Sequence, residues 1–192
     1  MIRKIKRNEI ADCVQVICKS FMTVADEFGF TIENAPGFTA FATTEERLVY
    51  QLEQEQRLMF AYYSDGRMVG YYSLLKQNEK ECELNNLCVL EEYRHKKIGE
   101  QLLGHAFAEA GKMGCSQINI GIVEENVKLR KWYEAYGAEH IGTEKYEQGI
   151  EHEKVETARR LIELGRFSIE EIAGMTELTV EKVKEITELQ SV

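Results

Sequence analysis

Residues 84–103, LNNLCVLEEYRHKKIGEQLL, hold the pattern in this chain that best suits chemistry. A strand-like apolar run ending at Leu90 enters a basic loop. The loop opens directly onto Ile98, Leu102, Leu103, Ala106, Phe107 and Ala110, which recur at helical spacing. A helix N-terminus carries N–H groups without intrahelical partners and the positive end of the helix dipole. Together these bind phosphate through the backbone, with no particular side chain required. Arg94, His95, Lys96 and Lys97 add cationic or protonatable groups. The stretch therefore reads as a pyrophosphate site between a strand and a helix. It is neither a Walker loop nor a dinucleotide fingerprint, because GxxxxGK[ST] and GxGxxG are both absent.

The run Arg94-His95-Lys96-Lys97-Ile98-Gly99, followed by Glu100-Gln101-Leu102-Leu103, resembles the phosphate-binding motif of the GNAT superfamily of N-acetyltransferases. That motif reads Arg/Gln-x-x-Gly-x-Gly/Ala and leads into a helix. Lys97 stands where the family most often has glycine, and Ala138 follows Gly137 where Phe is frequent. Asn126 to Gly137, NVKLRKWYEAYG, is similar to the family's Asn…Tyr-Glu…Gly helix, with Tyr133 seven residues after Asn126. The two motifs start 32 residues apart, and the resemblance spans about residues 1–147.

The resemblance implies acetyl-CoA as acyl-donating cosubstrate and a primary amine as acceptor, with direct attack in a ternary complex. It places the pantetheine arm on the backbone of Leu87, Cys88 and Val89, with the Val89 N–H supporting the thioester oxyanion. The loop from Arg94 through His95, Lys96, Lys97, Ile98 and Gly99 to Glu100 would hold the pyrophosphate. Asn126 would cap its helix, contact the coenzyme, or do both. Tyr133 becomes the general acid for the departing thiolate, since a hydroxyl near pKa 10 can donate to a thiolate at close range. Its other reading is an aromatic on a buried helix face beside Trp132 and Tyr136. Glu83, eleven residues before Arg94, becomes the base for the amine, or else is a solvated strand-end carboxylate. Glu124 and Glu125 are alternative bases. An acyl-cysteine route through Cys88 or Cys115 is set aside, because no His is placed by sequence to activate either.

The elements around these residues follow from periodicity and turn signals. Ile2–Ile5 reads as a first strand, and Asn8 as the cap of a helix through Ile10, Cys13, Val14, Ile17 and Phe21. Residues 29–42 read as a loop. A capping box from Thr43 to Glu46 predicts a helix to about Gln56. Leu58–Tyr63 and Val69–Leu75 flank the turn signal Asp65-Gly66, and Glu83–Leu90 makes a third strand. Tyr62, Tyr63, Tyr71 and Tyr72 are expected to pair across the hairpin. After the helix from Ile98, Ile118–Val123 reads as a short buried strand, Asn126 caps a helix ending at Gly137, and Ile141–Tyr146 reads as one more strand. In the resemblance, acceptor specificity falls to about Phe21–Leu52, which holds Asp26, Glu27 and Glu33.

The fold class is therefore α/β (α+β), with a GNAT-like mixed, mostly antiparallel sheet flanked by helices over residues 1–150. Residues 151–192 form a separate, all-helical appendage with ten Glu against six Lys and Arg. There Ser168 and Glu171 make a second capping box, and Thr179 caps a last helix. The run SIEEIAGMTELTVEKVKEI resembles a helix-turn-helix. A DNA-reading helix needs positive charge, and Glu181, Glu185 and Glu188 oppose Lys182 and Lys184. The appendage thus reads as a packing or homodimer element. A regulatory or scaffold protein on the same fold, acting through this appendage, is the rival to the enzyme reading.

Composition bounds both readings. The 192 residues are 44% hydrophobic and 30% charged, with no apolar run long enough to span a membrane and no secretory h-region after MIRKIKRNEI. The net charge of −9 disfavours nucleic-acid backbones. Five cysteines without a CxxC, and histidines at 95, 105, 140 and 152 without ligand spacing, point to a reducing cytoplasm and no metal.

Overall fold

The computed structural model describes residues 1–143 and 146–190. The chain divides into two compact units, Met1–Trp132 and Tyr133–Val192. The first unit is a five-stranded sheet in the order β1-β2-β3-β4-β5, made of Ile2–Lys4, Leu58–Ser64, Arg67–Lys76, Glu81–Val89 and Gln117–Ile120. The first four strands pair antiparallel, and β5 joins β4 in parallel. Asp65 and Gly66, both at positive φ (50° and 78°), turn β2 into β3 as a two-residue hairpin requires.

Helices cover both faces of the sheet. Helix α1 (Ile10–Phe28) buries Ile10, Cys13, Val16 and Ile17 and packs on β3 and β4. Short α2 (Thr39–Ala42) and α3 (Glu45–Glu53) follow it. On the other face, α4 (Ile98–Lys112) buries Ile98, Leu102, Leu103 and Ala106. Gly70 on β3 permits that contact: a Cβ there would lie 2.9 Å from the Leu102 side chain and 3.1 Å from the Cys88 carbonyl. Strand alternation then sorts β3, with Gly70 and Tyr72 toward α4 and Tyr71 and Ser73 toward α1.

Across the hairpin no tyrosine lies opposite another: Tyr62 faces Gly70 and Tyr63 faces Met68. Tyr72 stacks on Phe60 at 5.2 Å and hydrogen-bonds His105 on α4 at 2.6 Å, whereas Tyr71 lies opposite Ala61. Tyr63 instead donates its hydroxyl to Glu9 at 2.9 Å, under the Arg3 guanidinium. Three boundaries also move. Asn8 caps nothing: it sits inside a 3-10 turn, Arg7–Glu9, and Glu9 precedes α1. Thr44 rather than Thr43 caps α3, accepting from the Arg47 N–H at 3.2 Å. β5 stops at Ile120, so residues 121–123 are not strand.

Helix α5 (Val127–Glu134) runs across the division between the units. The strand expected at 141–146 does not form among the described residues. Residues 141–143 have no regular structure, 144–145 lie outside the described residues, and Tyr146 opens helix α6 (Tyr146–Leu164). The sequence there is polar, and His140, Ile141 and Thr143 are all exposed, so no buried face rewards a strand. The second unit continues with α7 (Ile169–Thr176) and α8 (Val180–Gln190). Ala158, Leu161, Ile172, Ala173, Val183 and Ile186 form its interior. The Ser168–Glu171 capping box and the Thr179 cap are both present.

A splayed strand leading to an uncapped helix

Strand β4 changes character halfway along. From Glu81 to Leu84 it is paired on both sides, with the last parallel pair at Leu84 and Ile120. Beyond that point β5 ends, and Asn85–Val89 keep only β3 as a neighbour. The same point carries a bulge. Tyr71 faces Cys88 while Ser73 faces Asn85, so β4 spends one residue more than β3, and Asn86 sits at φ 54°. An extra residue bends the strand and deepens its twist. The outcome is a strand whose outer backbone groups over Asn85–Val89 pair with no described strand.

The Val89 peptide shows which way that edge points. The Leu90 N–H bonds back to the Val69 carbonyl, whereas the Val89 carbonyl accepts Nε of Arg94 at 3.2 Å. A residue's N–H and C=O lie on the same side of an extended strand. The Val89 N–H therefore points away from β3, into the opening. Cys88 alternates toward α1, and burial pushes its thiol up to about 12. A thiol held that high is a poor nucleophile, in keeping with setting aside the acyl-cysteine route.

After a 3-10 turn, Glu91–Tyr93, the chain reaches the basic loop. Arg94 is extended, and His95 and Lys97 are both left-handed at φ 59°. Alternation of this kind folds successive amides into a concave nest. The first helical bond of α4 runs from the Gln101 N–H to the Lys97 carbonyl at 3.1 Å. Among the described residues, no group accepts from the amides of His95 through Glu100. Lys97 occupies the N-cap position without any side-chain cap bond. His95, Lys96 and Lys97 are exposed, and Lys96 donates to the Glu92 carbonyl at 3.0 Å while lying over the Tyr93 ring. Gly99 sits against Trp132 of α5, where an added Cβ would meet the indole at 3.7 Å.

Arg94 departs from the expectation of a cation in the loop. Its guanidinium is turned inward, where Nη2 donates to the Ser20 carbonyl at 3.1 Å and to Thr23 Oγ1 at 2.8 Å. With Nε on Val89, it joins α1, the end of β4 and the loop. Ser20 and Thr23 have no signal in the sequence beyond small polar residues at helical spacing.

The remaining expected residues occupy two places. Glu83 lies on the fully paired part of β4, opposite Leu75 and Asn119, on the α1 face. It is half-buried, and Gln77 Nε2 donates to its carboxylate at 2.8 Å. Asn85, missed in the sequence, shares that face, with a buried Nδ2 that has no partner. Asn126 Oδ1 accepts the Leu129 N–H at 3.0 Å and so caps α5. Tyr133 is buried near the end of that helix. Glu124 and Glu125 are exposed. The region between α1 and α3 is a nest of aromatic rings. Phe30 and Phe38 are 5.0 Å apart, Phe21 and Phe41 flank them, and Val123 beyond β5 packs against the group. Glu27 there faces Lys128 at 3.8 Å.

Known proteins share this fold. The sheet is similar to the crystal structure of a PaiA N-acetyltransferase from Thermoplasma acidophilum in complex with coenzyme A. The TM-score is 0.68 at 21% identity, over 76% of this chain and 93% of that one. It is also similar to the ribosomal-protein-S18-alanine N-acetyltransferase from Escherichia coli, with a TM-score of 0.56 at 17% identity over 71% of this chain and 76% of that one. Among sequences, an uncharacterized N-acetyltransferase of Mycobacterium tuberculosis (strain ATCC 25618 / H37Rv) is 25% identical over 121 residues, 63% of this chain and 78% of its own. Residues 27–138, more than half of the chain, match the description of one sequence family. That family is the acetyltransferase (GNAT) family, to which the chain belongs.

Proposed function

We propose that this chain transfers an acetyl group from acetyl-CoA to a primary amine in a ternary complex, acting in the cytoplasm. The observation that carries the reading is continuity: the open edge of β4 leads straight into the unclaimed amides of His95–Glu100. A ligand with a peptide-like arm and a pyrophosphate matches both parts in that order. Leu87, Cys88 and Val89 would pair with the arm as a strand pairs with a strand. The nest and the α4 dipole would hold the pyrophosphate, with Lys96 and Lys97 adding charge and Arg94 shaping the loop. Asn126 keeps an amide NH2 for the coenzyme while its oxygen caps α5.

In the transfer the amine nitrogen attacks the thioester carbonyl, the C–S bond breaks, and the sulfur leaves as thiolate. The Val89 N–H steadies the oxygen that gains charge. The Tyr133 hydroxyl supplies a proton to the thiolate. Glu83 receives the proton that the amine loses. Val89 lies six residue steps along the strand from Glu83, roughly 15–20 Å at the usual rise, so this proton travels through water. Holding both reactants in line supplies much of the acceleration.

The test begins with calorimetric titration of the protein by acetyl-CoA, where saturable micromolar binding is expected and none up to millimolar would overturn the reading. Release of free thiol in the presence of a panel of amines then reports transfer. Tyr133→Phe should lower kcat about 100-fold and leave acetyl-CoA binding unchanged. An unaltered kcat would remove Tyr133 from the mechanism.

A further inference from the structure

We infer that Arg94 is a positioning residue: it is no phosphate ligand but a strap that sets the Val89 peptide and the phosphate loop against helix α1, with Thr23 as its anchor. The inference rests on the reading of β4 and its loop as the acetyl-CoA site.

Three hydrogen bonds carry it, to the Val89 carbonyl, the Ser20 carbonyl and Thr23 Oγ1. A guanidinium has five N–H donors and no acceptor, and it satisfies fixed oxygens at fixed angles. Here two of the three oxygens belong to helix α1, 71 and 74 residues away in sequence, and the third to the strand end itself. Thr23 is set for the task, because its own hydroxyl hydrogen goes to the Ser20 carbonyl at 2.8 Å and leaves the oxygen to accept. Nε on the Val89 carbonyl fixes the rotation of that residue, and with it the direction of its N–H on the same side. Because Arg94 directly precedes left-handed His95, the same clamp fixes where the nest begins.

The strap also links two sites. The segment of α1 it grips carries Phe21 and leads into the aromatic nest around Phe38, and its other end holds the cofactor edge. A shift of α1 on acceptor binding would therefore be felt at Val89 and His95. Thr23 gives the inference its handle, since this residue lies on α1 and Arg94 occupies its hydroxyl.

The experiment measures acetyl-CoA dissociation constants by calorimetry between 50 and 500 mM salt, roughly one decade, chosen to vary phosphate screening strongly. The proteins are the wild type, Thr23→Val, Thr23→Ser, Arg94→Gln, Arg94→Lys and the Thr23→Val/Arg94→Gln pair, with melting temperatures taken alongside. Thr23→Val should weaken acetyl-CoA roughly tenfold, as losing a hydrogen bond to a charged group does. Thr23→Ser, which keeps the hydroxyl, should restore wild-type binding. The double variant should be no worse than Arg94→Gln, because both changes cut one connection. Arg94→Lys should resemble Arg94→Gln, since a point charge cannot reach three oxygens. The salt dependence should be the same in every variant. Wild-type binding in Thr23→Val, rescue by Arg94→Lys, or a shallower salt dependence in Arg94→Gln would each overturn the strap and make Arg94 a phosphate contact. A melting temperature that falls while the dissociation constants stay fixed would reduce it to a structural brace. If wild-type protein binds no acetyl-CoA, the function proposed above fails, and the strap with it. That result is read from the first titration, separately from the variants.

Discussion

The helices of this protein begin in two different ways. Four of them supply their own cap. Thr44 accepts from Arg47 on α3, Asn126 from Leu129 on α5, Ser168 from Glu171 on α7, and Thr179 from Lys182 on α8. On α7 the cap is reciprocal, with the Glu171 carboxylate returning to the Ser168 N–H at 2.8 Å. Helix α4 has a lysine in that place, held left-handed at φ 59°, with no side chain on its amides. A left-handed non-glycine residue costs on the order of 1–2 kcal/mol, and an absent cap about 1 more. A chain that caps four of its helices with short polar residues has left this one open at some cost. The difference teaches where to look for a ligand: the α4 terminus is short of an anion, and the four capped ones are not.

The largest expected effect comes from closing that difference. Lys97→Asp replaces a cation with a carboxylate beside the amides of Ile98–Glu100. Two unit charges 4 Å apart interact by about 4 kcal/mol near a protein surface, and salt screens part of that. Acetyl-CoA binding should weaken by about 100-fold, while the melting temperature holds or rises because the helix gains a dipole partner. Lys97→Gly is the opposite arm. It relieves the left-handed backbone and leaves the amides open, so it should stabilise the protein and keep acetyl-CoA binding. If Lys97→Asp binds acetyl-CoA like the wild type, the α4 terminus is not where the pyrophosphate sits.

Much of this site is legible in the sequence. The hairpin followed from Asp65-Gly66 between apolar runs, and the α4 face from its spacing, because turn chemistry and periodicity are local. The caps at Asn126, Ser168 and Thr179 were equally visible. What stayed hidden depends on contacts between distant parts of the chain. Nothing in LNNLCVL marks Asn86 as the bulged residue or Leu84 as the last to pair with β5. The inward turn of Arg94 needed Ser20 and Thr23, more than 70 residues away. The error at Ile141–Tyr146 was of another kind: a few apolar letters suggested a strand where no buried face existed to receive it.

The second effect concerns α1, whose preceding residue Glu9 makes no side-chain cap bond. Its carboxylate turns to Arg3 at 2.6 and 2.9 Å, to the Lys6 N–H at 2.8 Å and to the Tyr63 hydroxyl at 2.9 Å. The hydrogen bonds from Arg3, more than any other cause, hold Glu9 down to about 2 from an ordinary value of 4.5. A carboxyl lowered on folding stabilises the folded state when ionised in both states, so the contribution is complete above pH 4.5. It disappears as the pH falls through about 2. Glu9→Gln should therefore melt lower than the wild type at pH 6, and the gap should close between those two values. A gap independent of pH would mean that packing, and not charge, anchors α1.

The smallest effect separates the two tasks given to Asn126. As a cap it uses Oδ1, which accepts the Leu129 N–H at 3.0 Å, and for the coenzyme it would use Nδ2. The two atoms can be removed separately. Asn126→Ala loses both, which should cost about 1 kcal/mol of stability and also weaken acetyl-CoA. Asn126→Asp keeps an oxygen for the cap and adds a charge that suits a helix N-terminus, so stability should hold. It offers the coenzyme no donor and a repelling charge, so acetyl-CoA binding should fall as far as in Asn126→Ala, or further. Ser168→Ala on α7 is the control, with a similar loss of stability and no change in binding. If Asn126→Asp binds acetyl-CoA normally, α5 is closed to the ligand as α3, α7 and α8 are. The contrast among the helix termini would then be absolute, with α4 alone among these five open to acetyl-CoA.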